Sequence, residues 1–324
     1  MKILEWSHSA RDFMQSFERW LYSKYSSKDC ESNPSWVGRG LGKSFSFFIV
    51  ENNNSKILVL LDYDDGNGYK PADFKLDTRL FNHIMNSHGL ENYIVFKSQR
   101  ASSSALCKNY PIPEENVYPL GYFCDDMNHT LMLKSKVKNY NFSKRDIDIF
   151  WCGTVPDYTD SDWKYRDLDI RYWGSRIRRL GYEKICEIRD RRDDLNIFVS
   201  NKLIPFDQYV NLISRAKICV DFPGVGFHTR RLMELLTLEK CALACEKIND
   251  LNFDLVDEKH IHRYKIDYSD FEDKINYLLE NNGIIKETEK NLKDIQHYLT
   301  WEYSANNMFA IIDKRMIALS EIFL

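Results

Sequence analysis

Between residues 217 and 246 the chain reads KICVDFPGVGFHTRRLMELLTLEKCALACE, and this stretch holds the residue types best placed to do chemistry. A short β-rich run leads into a loop with Gly224 and Gly226, and apolar residues at helical spacing follow. Backbone amides at a helix start favour phosphate, and glycines let the main chain come close to it. His228, Arg230 and Arg231 stand at the same mouth. Arg231 and Glu234 are spaced to share one helical face. An arginine can grip a diphosphate through its planar fork, and a carboxylate can accept hydrogen bonds from ribose hydroxyls. A single Arg-x-x-Glu is most often a solvated ion pair. The strand and the two-glycine loop before this one favour an anion site.

A second group of candidates follows the run KILVLLDY at 56–63. Asp62, Asp64 and Asp65 sit at the end of this run, and a carboxylate there could deprotonate a hydroxyl. Asp64 is favoured as the base from its position past the strand. The competing reading is an acidic turn around Asn67-Gly68. Lys97 and Arg100 either line the same region or end a strand in solvent. His8, His83, His88 and His129 are isolated in sequence, and His260 and His262 share one face of a short strand without a recognisable third metal ligand. EIRDRRDD at 187–194 reads as an exposed turn of mixed charge.

The elements that must carry these residues follow from hydrophobic periodicity. Residues 11–25 and 79–88 read as amphipathic helices, and 44–50, 56–63, 93–99 and 116–122 as strands. The polar, basic stretch 134–146 marks a domain boundary. Strands then recur at 146–153, 196–201, 217–224, 241–246 and 260–265. Helices are expected at 167–181 (closed by Gly181), 205–216, 229–240, 269–282 (capped by Ser269 and ended by Gly283), 286–299 and 301–323. Strands alternating with helices imply parallel sheets covered on both faces. The expected architecture is α/β, with two Rossmann-like doubly wound domains facing a cleft. Residues 1–140 form the first domain and 146–300 the second. Residues 301–324 form a helix that either returns to the first domain or packs on the second.

Composition narrows the function classes. The net charge of −3 disfavours a nucleic-acid partner. The eight cysteines include no Cys-x-x-Cys pair, so neither a disulfide framework nor a zinc site is expected. The opening MKILEWSHSARDF lacks the apolar core of a signal peptide, and no run of about 18 apolar residues occurs, so a cytoplasmic protein without a transmembrane helix is expected. Contact with a membrane surface through a partner stays open.

Residues 146–246 resemble the donor-binding half of GT-B glycosyltransferases, particularly exostosin-like enzymes. The resemblance rests on IDIFWCGTVPDY at 147–158 with Arg166 and Arg171 downstream, on PFDQYVNLISRAKICVDFPG at 205–224, and on GVGFHTRRLMELLTLEKCALA at 224–244. The chain departs from the pattern in having Arg230 rather than a small residue before Arg231, and TLEKCAL where many relatives have a glycine. The resemblance implies that Arg231, the amides near Gly224 and Gly226, and His228 or Arg230 hold a donor diphosphate, and that Glu234 holds the ribose. It further implies that Lys202 and its loop frame the nucleobase, and that Gly153, Thr154 and Arg171 belong to the donor site. The implied activity is metal-independent transfer of a hexose or pentose from a nucleoside-diphosphate sugar to an oligosaccharide or lipid-linked glycan, with no other cofactor. A sugar-nucleotide epimerase and a non-catalytic nucleotide-sugar or glycan binder are the alternatives.

Overall fold

The structure is a computed structural model describing residues 1–7, 12–32, 45–52, 55–63, 78–97, 112–120, 133, 135, 145–155, 170–224, 229–246 and 251–322. The chain divides into two compact units. One comprises Met1–Met127, Asp250–Asn252 and Thr300–Leu324, and the other Asn128–Asn249 and Phe253–Leu299.

The first unit is built on a six-stranded sheet of β1 (Lys2–Trp6), β2 (Ser26–Ser32), β3 (Phe45–Asn52), β4 (Ser55–Asp62), β5 (Tyr93–Lys97) and β6 (Val117–Pro119), in the order β2-β1-β3-β4-β5-β6. The pairs β4–β5 and β5–β6 are parallel, whereas β3 runs antiparallel to both β1 and β4. This sheet is therefore mixed rather than wholly parallel. Strands β1 and β2 lie where periodicity predicted none. The edge segment SSKDCES has little β-propensity, and its pairing with β1 supplies what its sequence does not.

Side-chain alternation divides the core of this unit in two. Phe48, Val50, Val59 and Leu61 pack with Phe17 and Leu21 of α1 (Asp12–Tyr25) and with Trp301, Met308 and Ile312 of the C-terminal helix (Trp301–Ile322). Phe47, Ile49, Leu58 and Leu60 pack with Ile84 of α2 (Thr78–Ser87). Both faces of β3 and β4 are buried, which explains their unbroken apolar runs.

The second unit holds β7 (Ile147–Cys152), β8 (Ile197–Ser200), β9 (Ala216–Asp221), β10 (Ala242–Cys245) and β11 (His262–Tyr264), all parallel, in the order β8-β7-β9-β10-β11. Helices α3 (Ile170–Arg191), α4 (Phe206–Arg215) and α5 (Arg230–Thr237) connect strands, and α6 (Phe271–Glu280) and α7 (Asn282–Asn291) follow the last one. Counted from its first strand, the sheet has the 2-1-3-4-5 order of a doubly wound fold, and the strand order reverses between β7 and β9. Ligands of such sheets bind at that reversal, outside the carboxyl ends of the strands.

Several local expectations need correction. Gly181 does not end a helix, because α3 runs through it. A Cβ there would strike the Tyr268 hydroxyl and the Phe222 ring, so this glycine lets α3 lie close to β9. Most of 187–194 is the last turns of α3, where Arg191 pairs with Glu272 at 2.6 Å and Arg192 with Asp194 at 2.7 Å. Asp270, not Ser269, precedes α6, and its carboxylate accepts from the Lys265 amide instead of capping the helix. Gly283 sits inside α7, one residue past its start.

The C-terminal helix is joined to the first unit through Trp301, whose ring meets Phe17 edge-on at 5.9 Å and Trp20 at 5.8 Å. Trp301→Ala is expected to destabilise that unit by about 3–5 kcal/mol, the usual cost of removing a buried aromatic. Urea denaturation of the full chain would read this as an earlier first transition. A loss below about 1 kcal/mol would mean that this contact does not anchor the helix.

Candidate functional site

The candidate site stands at the carboxyl ends of β7 and β9. Strand β7 ends in Trp151-Cys152 and is followed by Gly153, and β9 ends in Asp221 and is followed by Phe222. Helix α5 begins after Thr229, whose hydroxyl accepts from the Leu232 amide at 3.0 Å and donates to Asp221 Oδ1 at 2.5 Å. The N-cap thus ties the helix start to the end of β9.

Arg231, the second residue of α5, turns inward. Its Nη2 donates to the Cys152 carbonyl, its guanidinium carbon lies 5.2 Å from the centroid of the Trp151 ring, and its Nη1 is 3.9 Å from Asp221 Oδ1. The side chain is 12% exposed. Nε and Nη1 are buried and make no hydrogen bond among the described residues. Unsatisfied buried donors are uncommon and costly, so two on one guanidinium mark a place where an acceptor belongs. Gly153 makes the placement feasible, since a Cβ there would collide with Arg231 Nη2.

The competing reading of Arg231 and Glu234 as a solvated ion pair is not what forms. Glu234 is buried and receives Arg230 Nε at 3.1 Å and the Tyr209 hydroxyl at 2.7 Å. Arg230 is the partly exposed member of the pair, four residues before the glutamate. The physical reason lies in the helix turn: residue 231 points at β7, so the glutamate's cation comes from the outward neighbour. Burial pushes the Tyr209 phenol well above its ordinary range, with the Glu234 charge adding to it, so the phenol donates to the carboxylate.

Sequence reasoning missed Asp221 and Arg178. Arg178 of α3 sends Nε to the Pro223 carbonyl at 3.0 Å, Nη2 to that of Phe222 at 3.4 Å and Nη1 to that of Thr154 at 3.5 Å. A Cβ on Gly224 would collide with this guanidinium, so Gly224 makes room for Arg178 rather than only for a ligand. The one available signal was position: Ile177, Gly181 and Ile185 mark the inner face of α3, and Arg178 adjoins it. Nothing in the sequence distinguished Asp221 from a strand-end turn residue.

The other candidates are placed as follows. Thr154 is exposed, and its carbonyl faces Arg178. Lys202 is exposed in the turn after β8, where its carbonyl receives Cys152 Sγ at 3.4 Å and its amide bonds Ser200 Oγ at 3.1 Å. Arg171 lies in the first turn of α3, outside the described side chains. Gly226, His228, Asp64, Asp65 and Arg100 lie outside the described residues. In the first unit, Lys97 Nζ donates to Asp62 Oδ2 at 2.8 Å, and both side chains are buried. They are ladder partners on β4 and β5, which corrects the reading of Lys97 as a solvated strand end. His262 bonds Thr288 at 2.9 Å and His260 Nδ1 accepts from the Val256 amide, so both are structural. Among the described residues no group of three or more His, Cys, Asp or Glu is arranged to hold a metal ion. No described helix is long and apolar enough to cross a membrane.

No family model matches the sequence, and no curated protein matches it. Among solved structures, a glycosyltransferase from Rickettsia africae is similar at 15% identity and a TM-score of 0.40, over 73% of this chain and 67% of that one. TarM is similar at 12% identity and 0.40, over 84% of this chain and 64% of that one. An S. aureus TarM mutant in complex with fondaparinux, alpha-GlcNAc-glycerol and UDP is similar at 14% identity and 0.37, over 77% of this chain and 50% of that one. The chain thus spans only part of the length of each. Likeness of this degree assigns no residue a role.

Asp221 gives the site a testable signature. Burial raises its carboxyl from the ordinary 3.8 to about 6, against the opposing pull of Arg231, the Thr229 hydroxyl and Arg178. Between those values the folded chain keeps a proton that the unfolded chain has lost. Stability from this group is therefore greatest at low pH and declines as the pH rises through about 4 to 6, by about 3 kcal/mol in total. Urea denaturation of the parent and of Asp221→Asn across pH 4–7.5 should show the parent losing ground to the variant through that window and then running level. A pH-independent difference would mean that Asp221 does not titrate there.

Proposed function

We propose that the chain is a GT-B-type glycosyltransferase, exostosin-like in its second unit, that moves a sugar from a nucleoside-diphosphate sugar to an oligosaccharide or lipid-linked glycan. The observation that carries this reading is the buried Arg231 guanidinium at the β7–β9 reversal, with two nitrogens awaiting acceptors. A diphosphate supplies the matching oxygens and charge.

In this reading the fixed guanidinium meets negative charge as it grows on the departing diphosphate. A preorganised donor of this kind lowers the barrier without reorganising during the reaction. The amides at the start of α5 assist, as do Arg230 and His228, and no metal is required. Glu234 accepts from the donor ribose through lone pairs left over by Tyr209 and Arg230, since a carboxylate offers about four. The turn carrying Lys202 frames the nucleobase, and Gly153, Thr154 and Arg171 complete the donor side. Residues 1–140 supply the acceptor side, with Asp64 as the base for the acceptor hydroxyl, and the protein works in the cytoplasm.

The test compares Arg231→Ala and Glu234→Ala, after circular dichroism shows that both are folded. A thermal-shift screen against UDP, GDP, CMP and TDP and their sugars identifies the donor first, because a ligand bound to the folded state raises apparent stability. Each change should then weaken donor binding by about 1.5–3 kcal/mol. Only the arginine change should lower kcat strongly, because ribose charge does not alter during transfer. Binding should survive excess EDTA. Folded variants that bind and turn over as the parent does would place the donor site elsewhere.

A further inference from the structure

Arg178 has a part in the anion site that its sequence position does not announce. Its three hydrogen bonds reach both sides of the strand reversal: Thr154 beyond β7, and Phe222 and Pro223 beyond β9. The helix that carries it is itself held against β9. The Tyr268 hydroxyl donates to the Ile177 carbonyl at 2.6 Å, and Gly181 leaves room for Phe222 and Tyr268. Arg178 is therefore fixed at both ends, and its guanidinium cannot be displaced without moving a strand end. Burial, with the neighbouring Arg231 charge adding to it, makes its proton less tightly held than in an ordinary arginine. Two partly buried guanidinium groups thus act electrostatically on one buried carboxylate, Asp221, and the described part of the site carries excess positive charge.

We infer that Arg178 is the second cation of this site, acting through its charge on a bound diphosphate while its hydrogen bonds hold the two strand ends in register. The inference rests on the donor-site reading above and adds to it a positioning residue on a different helix. Three of its five N–H groups go to protein carbonyls, so most of its hydrogen-bonding capacity is spent on the frame and its effect on the anion comes chiefly through its charge. The excess charge it creates is what a multiply charged anion discharges, and a neutral sugar does not.

The experiment uses the full chain with inorganic pyrophosphate as the probe, read by isothermal titration, with Arg178→Lys and Arg178→Gln as the variants. The expected result is pyrophosphate binding within about threefold of the parent for the lysine variant and about tenfold weaker for the glutamine variant. Equal weakening of both would show that only the hydrogen-bonded frame matters and would overturn the charge role, as would unchanged binding in both. Should Arg178→Gln fail to fold, Gly224→Ala takes its place by driving a methyl group into the guanidinium. It should weaken binding in the parent and add nothing in the Arg178→Lys background, and equal weakening in both backgrounds would overturn the inference. A parent that binds neither pyrophosphate nor any nucleoside diphosphate would overturn the donor-site reading and this inference with it. Failure confined to the variants would overturn the inference alone.

Discussion

Two guanidinium groups and one carboxylate share the buried end of the second sheet, and the surrounding structure is arranged to keep them there. Removing one partner of a buried charge pair leaves the other uncompensated, at a cost of about 3–5 kcal/mol. Asp221, Arg231 and Arg178 are therefore a coupled unit. Gly153 and Gly224 are empty of side chains because guanidinium groups occupy the space. Thr229 caps α5 and holds Asp221 through a single hydroxyl. Tyr264 donates to the Asp221 carbonyl at 3.0 Å, which fixes the same residue from β11.

The aromatic residues serve this arrangement by stiffening what lies beneath it. Phe222 packs against Trp151, Tyr264, Tyr268 and Phe271 with ring centroids between 5.3 and 6.3 Å. Trp151 also offers its face to Arg231, which favours a cation held out of water. The end of β9 is thus supported from below by rings and from above by charge. A site built on the ends of rigid strands keeps its geometry better than one carried wholly on loops.

The first unit follows a different plan. Its sheet is mixed, and one of its apolar faces is covered by helices drawn from opposite ends of the chain while α2 covers the other, with Asn52 bonding Asp313 at 2.8 Å and Arg315 bonding Asn116 at 3.0 Å. A buried ion pair, Asp62 with Lys97, links neighbouring strands at their carboxyl ends. That pairing satisfies two groups which, read singly, each suggested a role in chemistry.

Hydrophobic patterning alone determined most of the second unit, because a parallel strand buried on both faces must read as a short apolar run and its connecting helix must show one apolar stripe. It also located the strand–loop–helix segment around Gly224 and Arg231, since glycine, arginine and a cap residue at those spacings have few other uses. The strands β1 and β2 were illegible, because their pairing comes from neighbours distant in sequence rather than from their own propensity. Gly181 and Gly283 looked like helix stops, since a glycine that relieves a tertiary contact and one that ends a helix are the same letter. The choice of Arg230 rather than Arg231 as the partner of Glu234 depended on which side of α5 faces β7. The entry of Arg178 and Asp221 into the site depended on α3 lying against β9. Both are decided by the packing of elements far apart in the chain, and only the tertiary structure contains that information.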